Sequence, residues 1–185
     1  MKVDFIVPLY GYFARFVNKE ALLKSYVQTS STKHPGYEEI KAEVLSSDDS
    51  RVIDCIGDYI FSINEKYLSD RIKNSKGFVL FVEYGTINLE YDKQRGTRQD
   101  LSIIVAHELS MTNNDSIQEL SLMSGCLDVL QTIIEAMITD QEDLNFCGDE
   151  SLILDQVEIM PVDPTRFYGR GGWCAQFKNA KTIMK

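Results

Sequence analysis

The sequence predicts an α+β domain in which an antiparallel sheet carries one long amphipathic helix on one face, with an N-terminal helical and aromatic extension ahead of it. Three observations predict this class. From Phe78 onward the hydrophobic pattern runs strand, strand, helix, strand, strand. The two strand pairs are joined locally, as in hairpins, and not through a βαβ crossover. Between the pairs, Leu120, Met123, Leu127, Leu130, Ile134 and Met137 recur at three- and four-residue spacing, the period of a helix with one apolar face.

In chain order, the first element is a dense apolar run from Phe5 to Val17, broken by Pro8 and Gly11, that matches neither a clean helical nor a clean strand period. Asn18 is placed to cap a short helix through Val27. Residues 30–36 and 46–50 are turn-rich breaks, and Tyr37 to Leu45 between them, compatible with helix or strand, is read as helix. Ile53 to Ile63 alternates imperfectly and is read as connector. Asn64 then caps a short helix from Glu65 to Asn74 that ends before Gly77.

Phe78 to Tyr84 is almost wholly apolar, as in a central strand covered on both faces, and after Gly85 the chain alternates strictly through Tyr91. Gly85 is therefore expected to be a bulge or bend that lets one long strand leave the core as an arm. A charged loop, Asp92 to Asp100, leads to a strand from Leu101 to Leu109. Ser116 and Glu119 fit an S-x-x-E capping box for a helix running to about Thr139. Leu152 to Met160 and Gly172 to Phe177, separated by a turn with Pro161 and Pro164, read as a closing hairpin. On this basis residues 1–76 are an extension and connector packed on the domain, residues 77–185 are the α+β layer, and the whole is one structural unit.

Composition narrows the function. The 185 residues are 44% hydrophobic, enough for a core, and carry a net charge of -9. That charge argues against a general nucleic-acid binder, whose affinity comes from Lys and Arg displacing counterions. No run approaches the roughly 18 or more uncharged apolar residues of a membrane span, and no export signal is visible, so cytoplasmic work is expected. Cys55, Cys126, Cys147 and Cys174 are widely spaced and read as free thiols. Acidic residues crowd from Asp140 to Glu158, while Arg166, Arg170, Lys178, Lys181 and Lys185 dominate the end. Such asymmetry suits either contacts between copies or two solvated faces.

No catalytic, cofactor or metal site is expected. His107 and Glu108 begin an H-E-x-x-H pattern, but Met111 stands where the second zinc ligand belongs. The acidic stretch from Asp140 to Glu150 lacks the alternating oxygen ligands and central glycine of a calcium loop. Neither a phosphate-binding loop nor a nucleophile elbow is present. Protein contact is the remaining chemistry, and its expected residues are Ile87, Leu89, Tyr91, Arg95 and Arg98 on the arm and Phe167, Tyr168 and Arg170 at the hairpin tip.

The segment from about 78 to 178 resembles the tail terminator and tail-completion proteins of long-tailed phages and prophages. The similar parts are FVLFVEYGTINLEY, the loop DKQRGTRQ, the strand LSIIVAHEL, the helix SIQELSLMSGCLDVLQTIIEAMI and the strand GGWCAQF. The resemblance implies a virion structural protein that assembles in a ring with copies of itself, caps a tail tube and meets the head-tail connector, with Arg95 and Arg98 toward the lumen or tube. An adaptor or inhibitor that binds a partner through a sheet edge is the alternative, and an enzyme with a scattered site is a third.

Overall fold

The computed structural model describes residues 6–26, 36–46, 49–62, 71–90, 96–109, 115–143, 151–153 and 156–183. Its centre is a six-stranded sheet: β1 (Ile56–Phe61), β2 (Phe78–Glu90), β3 (Gly96–Glu108), β4 (Ser151–Ile153), β5 (Gln156–Val162) and β6 (Arg170–Ile183). The order is β1-β2-β3-β6, with β4 and β5 lying on β6 in one register along its outer side. Every pairing is antiparallel except β1 with β2, which is parallel. The α+β class is as the sequence predicts, with this parallel edge pair added. Residues read as connector form β1; its alternation is blurred because Ile56, Tyr59 and Ile60 are all buried and the register slips between Ile56 and Asp58.

Paired residues share a face, so the ladders define rows across the sheet. On one face run Leu80, Val105, Trp173 and Pro161; then Val82, Ile103, Ala175 and Ile159; then Tyr84, Leu101, Phe177 and Val157. The helices α1 (Ile6–Ala14), α2 (Lys19–Leu23), α3 (Tyr37–Leu45) and α4 (Ser116–Glu142) are on this side. Pro8 is compatible with α1 because it stands in the first turn, where the amide it lacks has no helical partner. The helix brings Leu9, Tyr12 and Phe13 into the same apolar cluster as the sheet, so the aromatic N-terminal run packs on its own domain.

The α4 helix is capped by Asp115, whose carboxylate accepts from the amides of Ile117 and Gln118, and not by Ser116 as the capping-box pattern suggested. Cys126, Val129, Leu130, Ile133, Ile134 and Met137 are buried, and Leu130 is fully so, whereas Leu127 is only half-buried. By length and hydropathy α4 could cross a membrane. Here its apolar stripe lies on β3 and β6.

The opposite face has a smaller cluster of Ile60, Ile72, Val79, Phe81, Ala106 and Phe167, covered by a helical turn at 71–74 and by the turn at 163–169. Beyond this cover the face ends in a polar row of Glu83, Ser102, Gln176 and Glu158.

The expected bend at Gly85 is present: β2 slips register against β3 between Tyr84 and Ile87. A second slip, between Gln99 and Leu101 on the β6 side of β3, brings the two irregularities together around Asp100. Past this line the arm is not a two-stranded ribbon. Strands β2, β3, β6 and β4 continue into it, with Leu89 opposite Thr97, Thr97 opposite Thr182 and Thr182 opposite Leu152.

Two substitutions test this packing. Leu130→Ala is expected to lower stability by about 2–5 kcal/mol, read by chemical denaturation. At Gly172 an added Cβ would stand 2.1 Å from the Val105 carbonyl oxygen and 2.6 Å from the Ala106 Cα. Backbone cannot yield as a side-chain tip does, so Gly172→Ala should cost about 3 kcal/mol or more, or prevent folding, in the same measurement.

Candidate interaction surface

The structure separates the residues expected to form a contact surface. Ile87 and Leu89 occupy β2 opposite Gln99 and Thr97, and Arg98 lies in β3 between Asn88 and Lys181, so these three are on the arm. Tyr91 and Arg95 lie outside the described residues. The hairpin tip is partly built into the molecule. Asp163 accepts from the Thr165 amide and hydroxyl, both at 2.8 Å, and folds the turn back on the sheet. Phe167 is thereby buried against Phe81, with ring centroids 6.0 Å apart. Tyr168, in the left-handed region at φ 55°, remains partly exposed, as do Asp163, Thr165 and Arg166.

Arg170 is buried, not a contact residue. Its Nε donates to the Ile72 carbonyl at 2.9 Å and its Nη2 to the Ser75 carbonyl at 2.6 Å, with Nη1 3.5 Å from the Gly77 carbonyl. These carbonyls end the 71–74 turn, where a cation is electrostatically favoured. Burial pulls the pKa of the guanidinium down, while the nearby Glu108 and Asp58 charges act the other way.

Two more ionic groups hold elements together. Asp58 pairs with Arg71 and also accepts from the Tyr59 amide at 2.9 Å. Asp140, buried near the end of α4, accepts from the Tyr12 hydroxyl at 2.7 Å, from Arg15 at 3.2 Å and from both terminal nitrogens of Arg51, one at 2.6 Å. Burial raises the Asp140 pKa, but hydrogen bonds from Arg51 and Tyr12 and the charges of Arg51 and Arg15 outweigh it, leaving a net depression. Burial and the same carboxylate push the Tyr12 phenol up, so it stays a donor.

Two clefts lie among the described residues. A groove of about 400 Å³ runs between the Ser50–Ile53 segment and Thr132, Ala136 and Thr139 of α4, over Phe16, but its Arg51 is already committed to Asp140. Thr132 and Thr139 return their hydroxyls to α4 carbonyls at Asp128 and Glu135. A smaller cleft of about 120 Å³ is lined by His107, Glu108, Asp115 and Glu119. His107 there contacts its neighbour's carbonyl and the edge of Phe78. Burial pushes the thiols of Cys126 and Cys174 up to about 12 and about 11, which removes thiolate reactivity near neutral pH.

The sheet edges are where the molecule is asymmetric. Along β1, the Ile56 carbonyl accepts from Asn18, the Gly57 carbonyl from Lys24, and the Tyr59 carbonyl from Ser25 and Arg71. Asn18 is held for this by its role as cap of α2, its carbonyl oxygen accepting from the Ala21 amide at 2.8 Å. That edge is closed by side chains. Along β5, no strand among the described residues pairs on the outer side. Val157 and Ile159, the ends of two rows whose inner members are buried, are 37% and 41% exposed. Sequence alternation identified the strand, but not that it lies at an edge.

No family model, no curated protein and no solved structure is similar enough to this chain to count as a match.

Asp140 provides a pH test. Its folded pKa lies below the ordinary value of 3.8, so its contribution is complete above that pH and is lost as pH falls through the lower folded value. Asp140→Ala is expected to cost about 3 kcal/mol at neutral pH, discounted for the partial exposure of Arg15 and Arg51. The gap to the unsubstituted protein should close in denaturation curves taken at progressively more acid pH.

Proposed function

We propose that this protein works by assembly, through contacts with other protein chains and without chemistry of its own. The observation that carries this reading is the contrast between the two edges of one sheet. A sheet that is to stay alone protects both edges, because unpaired backbone amides and carbonyls beside apolar side chains recruit other strands. Here four side chains close β1, while among the described residues no strand pairs on the outer side of β5, where Val157 and Ile159 are partly exposed. Beyond the paired register slips four strands, β2, β3, β6 and β4, continue the sheet into the arm.

The setting that suits such a protein best is the one the sequence resemblance suggests: a phage or prophage tail terminator or tail-completion component, with copies arranged around a tail tube. An antiparallel layer with one covering helix is compatible with that reading, and an acidic ring would let DNA slide without holding its phosphates. The open edge also favours a second reading, an adaptor or inhibitor domain that binds a partner by strand addition.

Mass determination of the protein alone and mixed with the products of its genomic neighbours, followed by imaging, tests the proposal. Rings or binding to tube ends support the virion reading, and a complex of fixed one-to-one stoichiometry supports the adaptor. Arg98→Glu, on the arm, is expected to weaken a ring or tube contact. A monodisperse monomer that ignores every neighbour would overturn assembly as the function.

A further inference from the structure

Helix α4 carries a second apolar line besides the stripe that lies on the sheet. Two close approaches orient the helix. At Gly125 an added Cβ would stand 3.1 Å from the Phe78 ring of β2, and at Gly171 of β6 one would stand 3.2 Å from the Met123 sulfur. One flank of α4 thus looks toward β2 and the other out over β6. At 3.6 residues per turn, Leu120, Leu127, Gln131 and Ile138 fall on the β6 flank, just outside the buried stripe. Leu120 is 69% exposed, Ile138 45%, Gln131 exposed and Leu127 half-buried. At 1.5 Å per residue the line is about 27 Å long, which is the contact length of another helix and not of a pocket.

The helical layer ends at this flank. On the opposite flank Phe16 and the Ser50–Ile53 segment stand beside α4. On this one α4 rests on β3 and β6, and Val157 and Ile159, at the helix-side positions of the next strand, stay partly exposed. Strands lie about 4.8 Å apart and packed helices about 8–10 Å apart, so a helix laid along this flank would stand over β5.

Charge says what kind of helix fits. None of the 27 residues of α4 is Lys or Arg. Asp128, Glu135 and Glu142 follow one another at seven-residue steps along the crest that borders the apolar line; all three are exposed and in no ion pair among the described residues. Of the basic residues near β5, Arg166 pairs with Asp163 in the turn that covers the opposite face, and Lys178 holds the register position opposite Gln156. Neither lies on α4. Two copies joined flank to flank through α4 would set their acidic crests side by side, which like-charge repulsion opposes.

We propose that this flank of α4 takes an amphipathic helix of a different protein, about five turns long, lying beside α4 over β5. Its apolar stripe meets Leu120, Leu127 and Ile138. A line of Lys or Arg along one border of that stripe meets Asp128, Glu135 and Glu142. This rests on the assembly reading and makes it specific: the partner contributes a helix, and the partner is not another copy of this chain.

Designed peptides of roughly 20 residues test it, since chains of that length are only marginally helical alone and gain helix on docking. One has a leucine stripe bordered by lysines, one the same stripe bordered by glutamates, and both are otherwise alanine and glutamine. The lysine peptide is expected to bind, to gain helical circular dichroism as it does, and to bind less tightly as salt rises. The glutamate peptide should bind about tenfold more weakly or worse. Leu120→Arg and Ile138→Arg should each weaken lysine-peptide binding by about tenfold, whereas Gln118→Arg, which adds the same charge on the other flank, should change it little. The double substitution Asp128→Lys with Glu135→Lys should reverse the preference toward the glutamate peptide. No binding of the lysine peptide, equal affinity for both peptides, or equal loss from Gln118→Arg and the flank substitutions would overturn the proposal. So would a bound peptide that gains no helix and instead slows hydrogen exchange from Val157 to Met160, because it would then be an added strand. A dimer of the protein that Leu120→Arg dissolves would also overturn it, the occupant being a second copy. These outcomes leave assembly standing, whereas a monomer that binds none of its genomic neighbours' products removes assembly itself.

Discussion

The Asp140 carboxylate fixes the geometry on which the rest depends. It draws α1, through Tyr12 and Arg15, and the 49–51 turn, through Arg51, onto the last turns of α4. With α2 on β1 and α4 on β3 and β6, the rows from β2, β3 and β6 are covered, and Val157 and Ile159 of β5 remain partly exposed. A buried carboxylate among two guanidiniums and a phenol is costly to desolvate, and replacing all four with apolar groups could leave stability unchanged. Its worth is positional: the cluster holds α1 and the 49–51 turn against the end of α4.

Each end of the sheet is thus handled by different physics. At β1, donors from Asn18, Lys24, Ser25 and Arg71 satisfy carbonyls that another strand would otherwise seek. At the opposite end, no strand among the described residues pairs on the outer side of β5. On the underside, Arg170 fastens the 163–169 turn to the end of the 71–74 turn, so that a glycine-rich segment becomes part of the core.

The elements most legible in the sequence were those with long, regular periods. Helix α4 and strand β2 are where their patterns put them, β3 and β6 run longer than theirs because β3 starts at Gly96, inside the expected loop, and β6 continues to Ile183, and Gly85 marks a true register slip. What the sequence hid was long-range pairing. Asp140 meets Arg15 and Arg51 from far along the chain, and no local pattern signals such a contact. Arg170 beside glycines has the composition of an exposed loop, and only the fold supplies three carbonyls for it. Strand β1 was missed because burial on both faces removes the alternation that marks a half-exposed strand. Leu120 and Leu127 share the helical period of the core residues, yet one is exposed and the other half-covered, because period identifies a stripe but not where the sheet beneath it stops.

Trp173 lies one strand in from the open edge, paired with Pro161 of β5, and its indole nitrogen donates to the Met123 carbonyl of α4 at 2.9 Å. It is the chain's single tryptophan. The fluorophore therefore links α4 to β5 at this rim of the sheet, and it is incompletely buried there. Its emission wavelength and accessibility to quenchers carry no background from other indoles. Events at that rim can consequently be followed by intrinsic spectroscopy on unlabelled protein, in real time and at low concentration.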